Sequence, residues 1–532
     1  MVVAAQPEAT ETAVEILRAG GNAVDAAVAC AFAQGVIDPL MCGIAGFGSC
    51  GMLLPGAGVH EYVDFHAPAP LASRPDMWEH LIEGETRDGF GFLLRDSVNE
   101  LGYQSICTPA ALRAYWDIHH AYGRLPWQQV VEPAISFAEE GWTVRPQVAS
   151  FWARHDPMGR LANDHKLRYS AAGRALYCRQ DGTPKQLGDE VVNRDLGATL
   201  RAIAEHGVSV FYEGEIAHAM TDDIGRHGGL LTAADLQRWR PTRRAPLWGA
   251  YRGYRVATNQ PPGGGVMLLQ MLHVLERFDL KALEHNSPEY IQTVAEAMKL
   301  ATIDKDRYVG DPAFVDVPLD RLTAAAYAAE LAERIRAGER AEVPRLDTDP
   351  APSPDTTHLS IVDADGNCVT MTHSLGSPSG VITDGLGFMY NGCMAVFDPR
   401  PGRTGSVAPG KARFSAMAPS MVLDGDRPHL VVGAPGGTQI VMGILQTLLN
   451  AIDFDMTMVE AVSAPRFSAT SSAIDVSNRI PRCTERDLRA AGHSVVRSPV
   501  TFDFARVLAI RIHPDGLDGG ADPAGDGAVM AV

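Results

Sequence analysis

The chain has 532 residues and a net charge of -18, with 46% hydrophobic and 21% charged residues. That balance describes a globular protein with a substantial core, and its negative charge disfavours nucleic acid or an anionic membrane as partner. No window approaches the roughly eighteen apolar residues a membrane-crossing helix needs.

The opening segment, MVVAAQPEATETAVEIL, lacks the basic and continuous apolar regions of a secretory signal. A cytoplasmic location is therefore expected, or the periplasm if a signal segment was removed. The eight cysteines, at 30, 42, 50, 107, 178, 368, 393 and 483, show no CxxC and no metal-ligand spacing. They read as buried thiols, and neither a metal nor a cofactor is expected.

Residues 8–19 place Ala13, Ile16 and Leu17 on one helical face, with Gly20-Gly21 where a helix would end. Asn22 then caps a second helix, NAVDAAVACAFAQGVI, whose small residues imply close packing. GIAGFGSCGMLL reads as a glycine-rich strand or loop. Residues 110–340 are mostly helical by period, as in PAALRAYWDIHHAYG and SPEYIQTVAEAMKLATIDKDRYVG, and NQPPGGGVMLLQML reads as a sharp strand-to-helix entry.

From Arg336 to Asp355 the character changes. RAGERAEVPRLDTDPAPSPD has four prolines and no apolar periodicity, the composition of an exposed connector. TTHLSIVD follows at once, a strand-like run that opens on Thr356. A hydroxyl residue heading a strand behind a cleavable connector suits a chain that cuts itself between Asp355 and Thr356. The freed α-amine then serves as base for the hydroxyl it sits beside. An ordinary interdomain linker is the competing reading of these residues.

The next strands can be paired by counting. Strands at 356–362 and 368–374, joined by the five-residue loop Asp363–Asn367, make paired positions sum to 730. Thr356 then faces Ser374 at about 5 Å between Cβ atoms, close enough for one hydroxyl to position the other. His358 and His373 flank this pair. Further on, HLVVGAPGGTQIVMGILQTLLNAI reads as strand, glycine turn and helix. The amides of Gly436 and Gly437 there form a candidate anion site, suited to the oxyanion of acyl transfer. Short strands after Thr356 and helices before it suggest α/β (α+β) stacked sheets covered by helices.

These pieces resemble the γ-glutamyltransferase (glutathione hydrolase) family of N-terminal nucleophile (Ntn) hydrolases. The resemblance rests on ILRAGGNAVDAAVA, PAISFAEEGW, FYEGEIA, GGLLTAADL, PPGGG, EAMKLATIDKDRYVGDP, TTHLSIVDADGN, SAMAPSMV, GAPGG, EAVSAPRF and GGADP, in order along nearly the whole chain. It implies a four-layer αββα fold in one autoprocessed domain, cut into segments 1–355 and 356–532. It also implies Thr356 as nucleophile, Ser374 in the place of the family's second threonine, and Gly436-Gly437 as oxyanion hole. The expected partners are a small-molecule amide and the chain's own two fragments as a heterodimer, or a dimer of such heterodimers.

The substrate positions depart from the family pattern. DFHAPAP puts His66 where the family has a carboxylate-binding arginine, and the family's serine pair is Ser415-Ala416. The groups that would grip an α-ammonium fall on Gly376, Cys393 and Val396. Removing one charged partner from a buried site weakens binding by roughly 2–5 kcal/mol. The expectation is an amidohydrolase or acyltransferase acting on an acyl group other than free γ-glutamyl, with Arg413 a possible substitute cation. His66 is expected to recognise one carboxylate when protonated. A true glutathione hydrolase and a non-catalytic binding member of the family stay open.

Overall fold

The computed structural model describes residues 1–89, 91–154, 160–345, 356–502 and 504–532. Residues 346–355 of the expected connector, and with them Asp355, lie outside the described residues.

In chain order the strands of the two main sheets begin with β1 (Val2–Ala4), β2 (Phe47–Leu54), β3 (Val59–Phe65) and β4 (Thr242–Arg244). Next come β5 (Leu247–Tyr251), β6 (Tyr254–Thr258), β7 (Thr357–Val362), β8 (Cys368–Ser374) and β9 (Ser420–Asp424). The last are β10 (Arg427–Gly433), β11 (Leu508–His513), β12 (Gly516–Ala521) and β13 (Ala528–Met530). One sheet of seven runs β13-β1-β7-β8-β2-β3-β4, and one of six runs β12-β11-β10-β9-β6-β5. All their pairings are antiparallel.

The sheets stack face to face over Val3, Tyr62, Val362, Met421, Val431 and Ile510. The Tyr62 hydroxyl crosses between them to donate to the Ala257 carbonyl at 3.0 Å. Helices α1 (Pro7–Arg18), α2 (Ala23–Ile37) and α3 (Ala111–Tyr122) cover the outside of the first sheet. Helices α4 (Gly265–Leu275) and α6 (Ile440–Ile452) cover the second, and α5 (Pro288–Tyr308) packs against α4. This is the four-layer αββα arrangement, with two helical layers hiding the outer faces that stacked sheets leave apolar.

Local sequence explains the best-formed elements. Asn22 Oδ1 accepts from the amides of Val24 and Asp25 at 2.9 and 3.0 Å, while Asp25 accepts from the Asn22 amide at 2.9 Å. That reciprocal cap contributes about 1 kcal/mol and fixes where α2 begins. Helix α2 is buried at nearly every position, and its alanines and Cys30 let it lie close to the first sheet. Seven cysteines are buried and Cys483 is exposed.

The middle of the chain is less purely helical than its periodicity suggests. Residues 242–258 supply β4, β5 and β6, three to five residues each, too short to show a period of two between long helices. Chain connectivity is interleaved as well. The central pair β7-β8 comes from beyond Thr356 but sits between β1 and β2, both from the start of the chain. No helix among the described residues is long and apolar enough to cross a membrane.

Candidate active site

Strands β7 and β8 pair Thr357 with His373, His358 with Thr372 and so on to Val362 with Cys368. Every pair sums to 730, the register counted from the turn, so Thr356 comes next in line opposite Ser374. The Thr356 hydroxyl donates to Ser374 Oγ at 3.5 Å, and both residues are buried. Ser374 Oγ also accepts the Gly376 amide at 2.8 Å, which orients its lone pairs.

Alternation along the hairpin sorts its polar side chains. Thr357 and His373 face the helices, where Gln34 Nε2 donates to Thr357 Oγ1 at 3.1 Å. His373 is held by the Tyr115 hydroxyl at 2.7 Å and Gln34 Oε1 at 2.8 Å. Thr356, His358, Thr372 and Ser374 face the second sheet. His358 is held by Thr372 at 2.8 Å and Ser360 at 3.0 Å. Burial pushes His358 and His373 each down to about 3, so both are neutral spacers with their ring nitrogens engaged. Neither takes up a role as base for Thr356.

The glycine turn leaves the second sheet at the same end. A Cβ on Gly433, the last residue of β10, would lie 2.1 Å from His358 Cε1, so only glycine lets the sheets approach here. Gly436 and Gly437 follow at φ 149 and 55, and lead through one tight turn into α6. Neither of their amides is committed to a protein acceptor among the described residues. Thr438 Oγ1 donates to Asp88 at 3.3 Å, which pins the helix start.

The expected substrate positions converge less evenly. Gly376 has φ 77, and a Cβ there would meet Cys393 Sγ at 2.9 Å, Arg413 at 3.3 Å and Phe47 at 3.3 Å. Gly376, Cys393 and Arg413 therefore line one spot beside Ser374. Ser415 is buried but bound into the wall, with its amide on the Pro262 carbonyl at 2.9 Å. Ala416 is buried beside it. Val396 stands apart, lining a cavity of about 380 Å³ with Phe414, Lys305 and Arg345.

His66 departs from expectation. It is 6% exposed, and burial together with Arg413 and Arg244 pushes it down to about 3. It stays neutral at mildly acidic pH and supplies no cation for a carboxylate. Its neighbour Asp64, 3.8 Å away, is pushed up to about 7 by burial, against the pull of a Ser49 hydrogen bond. A cavity of about 330 Å³ adjoins His66 and Asp64 on the side of Arg244 and Trp239, but neither Thr356 nor Ser374 lines it.

One feature gave no signal in the sequence and another only a faint one. Lys166 Nζ donates to Glu100 at 2.8 Å and to Ser377 Oγ at 2.5 Å, a buried ion pair that anchors the loop after Ser374. Arg413, offered by the sequence only as a substitute, is the cation that reaches the Gly376 corner. No cluster of three or more candidate metal-ligating side chains occurs among the described residues.

The model of the family described as "Gamma-glutamyltranspeptidase" matches residues 9–532. The chain belongs to that family. It is 38% identical to the Acylase ACY 1 proenzyme of Pseudomonas sp. (strain V22), covering 100% of this chain and 93% of that protein. It is 32% identical to the glutathione hydrolase proenzyme of Escherichia coli (strain K12), covering 98% and 90%. The crystal structure of cephalosporin acylase from Bacillus halodurans superposes with TM-score 0.86 at 28% identity, over 100% of this chain and 95% of that one. Within the gamma-glutamyltranspeptidase family this chain is an amidohydrolase or acyltransferase.

Two measurements check the site. Ser374→Ala is expected to lower kcat by roughly one to three orders of magnitude, the range for a hydrogen bond that positions a nucleophile. An unchanged kcat in a folded variant means the pair is only structural. The second concerns pH and stability. His66, His358 and His373 bind protons in the unfolded chain below about 6.5 but in the fold only near 3. Unfolding therefore takes up protons in that window, and stability falls as pH drops from 6.5. Asp38, Asp64 and Asp117, whose carboxyls burial pushes up, oppose this, but they are fewer than the histidines, since burial also lowers His60, His273, His285, His429 and His493. Each excess proton is worth about 1.4 kcal/mol per pH unit. The urea midpoint should fall between pH 7 and pH 5, and a flat profile contradicts the neutral histidines.

Proposed function

We propose that the protein is an N-terminal threonine amidohydrolase that matures by cutting its own chain before Thr356. The observation that carries this reading is the Thr356–Ser374 hydroxyl pair at the head of β7, facing the sheet from which the Gly436-Gly437 turn emerges. Both nearby histidines are neutral and engaged elsewhere, which leaves the α-amine released by cleavage as the base.

In maturation, Thr356 Oγ attacks the Asp355 carbonyl. The peptide C–N bond breaks as the new ester forms, and the proton from Oγ ends on the freed amine. Water then hydrolyses the ester, giving a segment ending at Asp355 and one beginning at Thr356. In turnover the same Oγ attacks a substrate amide while its proton passes to the α-amine. The Gly436 and Gly437 amides receive the developing oxyanion, and the amine leaves protonated. Water resolves the acyl-enzyme and regenerates Thr356.

The acyl group is one without an α-ammonium. Gly376 and Cys393 offer that cation no carboxylate and no side-chain amide, and at Gly376 the space for a longer side chain is filled by the Cys393 thiol. The names of similar proteins, an acylase and a cephalosporin acylase, agree with an acyl group other than γ-glutamyl. The two segments are taken to stay together as a heterodimer, because β7 and β8 are sandwiched between strands of the first segment. A cytoplasmic location goes with this reading.

N-terminal sequencing of the smaller fragment should begin at Thr356, and both fragments should elute together. Thr356→Ala should give an uncut, folded and inactive chain. Any other start residue refutes the nucleophile assignment. Between glutaryl and γ-glutamyl versions of one anilide, which differ only in the α-amino group, the glutaryl compound should have the higher kcat/KM. A clear preference for γ-glutamyl restores the glutathione hydrolase reading.

A further inference from the structure

The loop that leaves β8 carries the second partner of the Ser374 hydroxyl, and the first segment of the chain holds that loop at several points. The Leu375 amide donates to the Met41 carbonyl at 3.0 Å, and the Gly102 amide donates to the Ser379 carbonyl at 2.8 Å. Between these two bonds stands a charged contact. Lys166, on the short helix Asn163–Arg168, donates from Nζ to Ser377 Oγ at 2.5 Å and to Glu100 at 2.8 Å. Lys166 and Ser377 are 2% and 1% exposed, and the buried Glu100 also accepts the Leu161 amide at 3.3 Å.

The place of this contact sets it apart from an ordinary core ion pair. Ser377 directly follows Gly376, whose amide donates to Ser374 Oγ, and Ser374 Oγ in turn accepts from Thr356. One backbone step therefore joins the lysine's contact to the bond that orients the nucleophile's partner. Gly376 sits at φ 77, a conformation glycine adopts without strain, so its own residue type does little to fix the direction of its amide. The surroundings do more. A Cβ on Gly392 would lie 2.4 Å from the Ser377 carbonyl oxygen, and one on Gly380 would lie 2.9 Å from the Lys166 carbonyl oxygen. Net stability is a weak reason for such a pair, since replacing both buried partners by apolar side chains is often neutral or stabilising. A fully bonded buried ion offers a single geometry instead.

We infer that Lys166, held by Glu100, is a positioning residue for the acyl-transfer step: it fixes Ser377 and with it the Gly376 amide, which keeps Ser374 aligned on Thr356. This rests on the threonine-amidohydrolase reading and adds to it two residues of the first segment. Thr356, Ser374 and Ser377 lie beyond the cut, whereas Lys166 and Glu100 lie before it, so the alignment of the hydroxyl pair depends on both segments staying together. Lys166 acts through Ser377 and not on the nucleophile itself.

The test uses the full chain and whichever of the glutaryl and γ-glutamyl anilides the wild type hydrolyses faster, with kcat expressed per cleaved chain. Ser377→Ala leaves the Lys166–Glu100 pair intact and removes only the hydroxyl between it and the loop. Its kcat should fall by about 5- to 50-fold, with KM within about twofold and the melting temperature little changed. Ser377→Thr, which keeps a hydroxyl, should recover most of that loss. Lys166→Met combined with Glu100→Leu removes the ion pair as a unit, and it should fold, cleave and lose kcat to a similar extent. Adding Ser377→Ala to Ser374→Ala should lower kcat by no more than about a further twofold, because both act through one hydrogen bond. A Ser377→Ala variant with wild-type kcat overturns the inference. Losses that multiply in the Ser374→Ala background do so too, since they mark independent structural damage, as does a loss confined to KM or to melting temperature. Each of those results leaves the nucleophile in place. A wild type that neither cleaves before Thr356 nor hydrolyses either anilide removes the underlying reading, and the positioning role with it.

Discussion

The pairing of β7 with β8 is the constraint on which the rest of the site depends. A side-chain period of two means a slip of one residue would turn Thr356 and Ser374 towards the helices and bring Thr357 and His373 into the inter-sheet layer. Several hydrogen bonds resist that slip. Thr357 and His373 are bonded to Gln34 of α2, His358 to Thr372 and Ser360, and Thr370 Oγ1 to the Val432 carbonyl of the opposite sheet at 3.3 Å. The Asp363–Asn367 turn closes the hairpin, with Asp363 accepting from the amides of Asp365 and Asn367 and from the Asn367 side chain. Both faces of the hairpin are thus fixed by polar bonds as well as by apolar packing, and the hydroxyl pair at its end inherits that order.

The electrostatics of the layer follow from its dryness. His66, His358 and His373 lose their charge because burial strips them of solvation, and for His66 the nearby Arg413 and Arg244 add to the effect. Arg413, buried in the same layer, carries a guanidinium, which stays charged in proteins. The same environment therefore makes three histidines inert and leaves Arg413 with no carboxylate in ion-pair distance among the described residues.

Much of this is legible in the residues themselves. The capping Asn22, the five-residue turn and the strand-turn-helix of the GAPGG segment are local signals, and the structure places them where those signals do. The strands at 59–65 and 242–258 are not legible, because short strands take their identity from neighbours far along the chain. The expectation for His66 fails for a related reason. Its ordinary pKa is near neutral, and nothing adjacent to it in sequence reveals that Arg244, Arg413 and the core surround it.

The sequence by itself determined the family, the hairpin register and the residues that head it, because these rest on local spacing and on motifs read in order along the chain. Only the tertiary structure decided which charge stands next to the hydroxyl pair. Phe47, Ser374, Cys393 and Arg413 come from four separate segments, and Arg413 meets the site only when the loop before β9 folds over the ring of β2. Whether a buried charge is paired is a property of everything around it, so it cannot be read from the residues beside it in the chain.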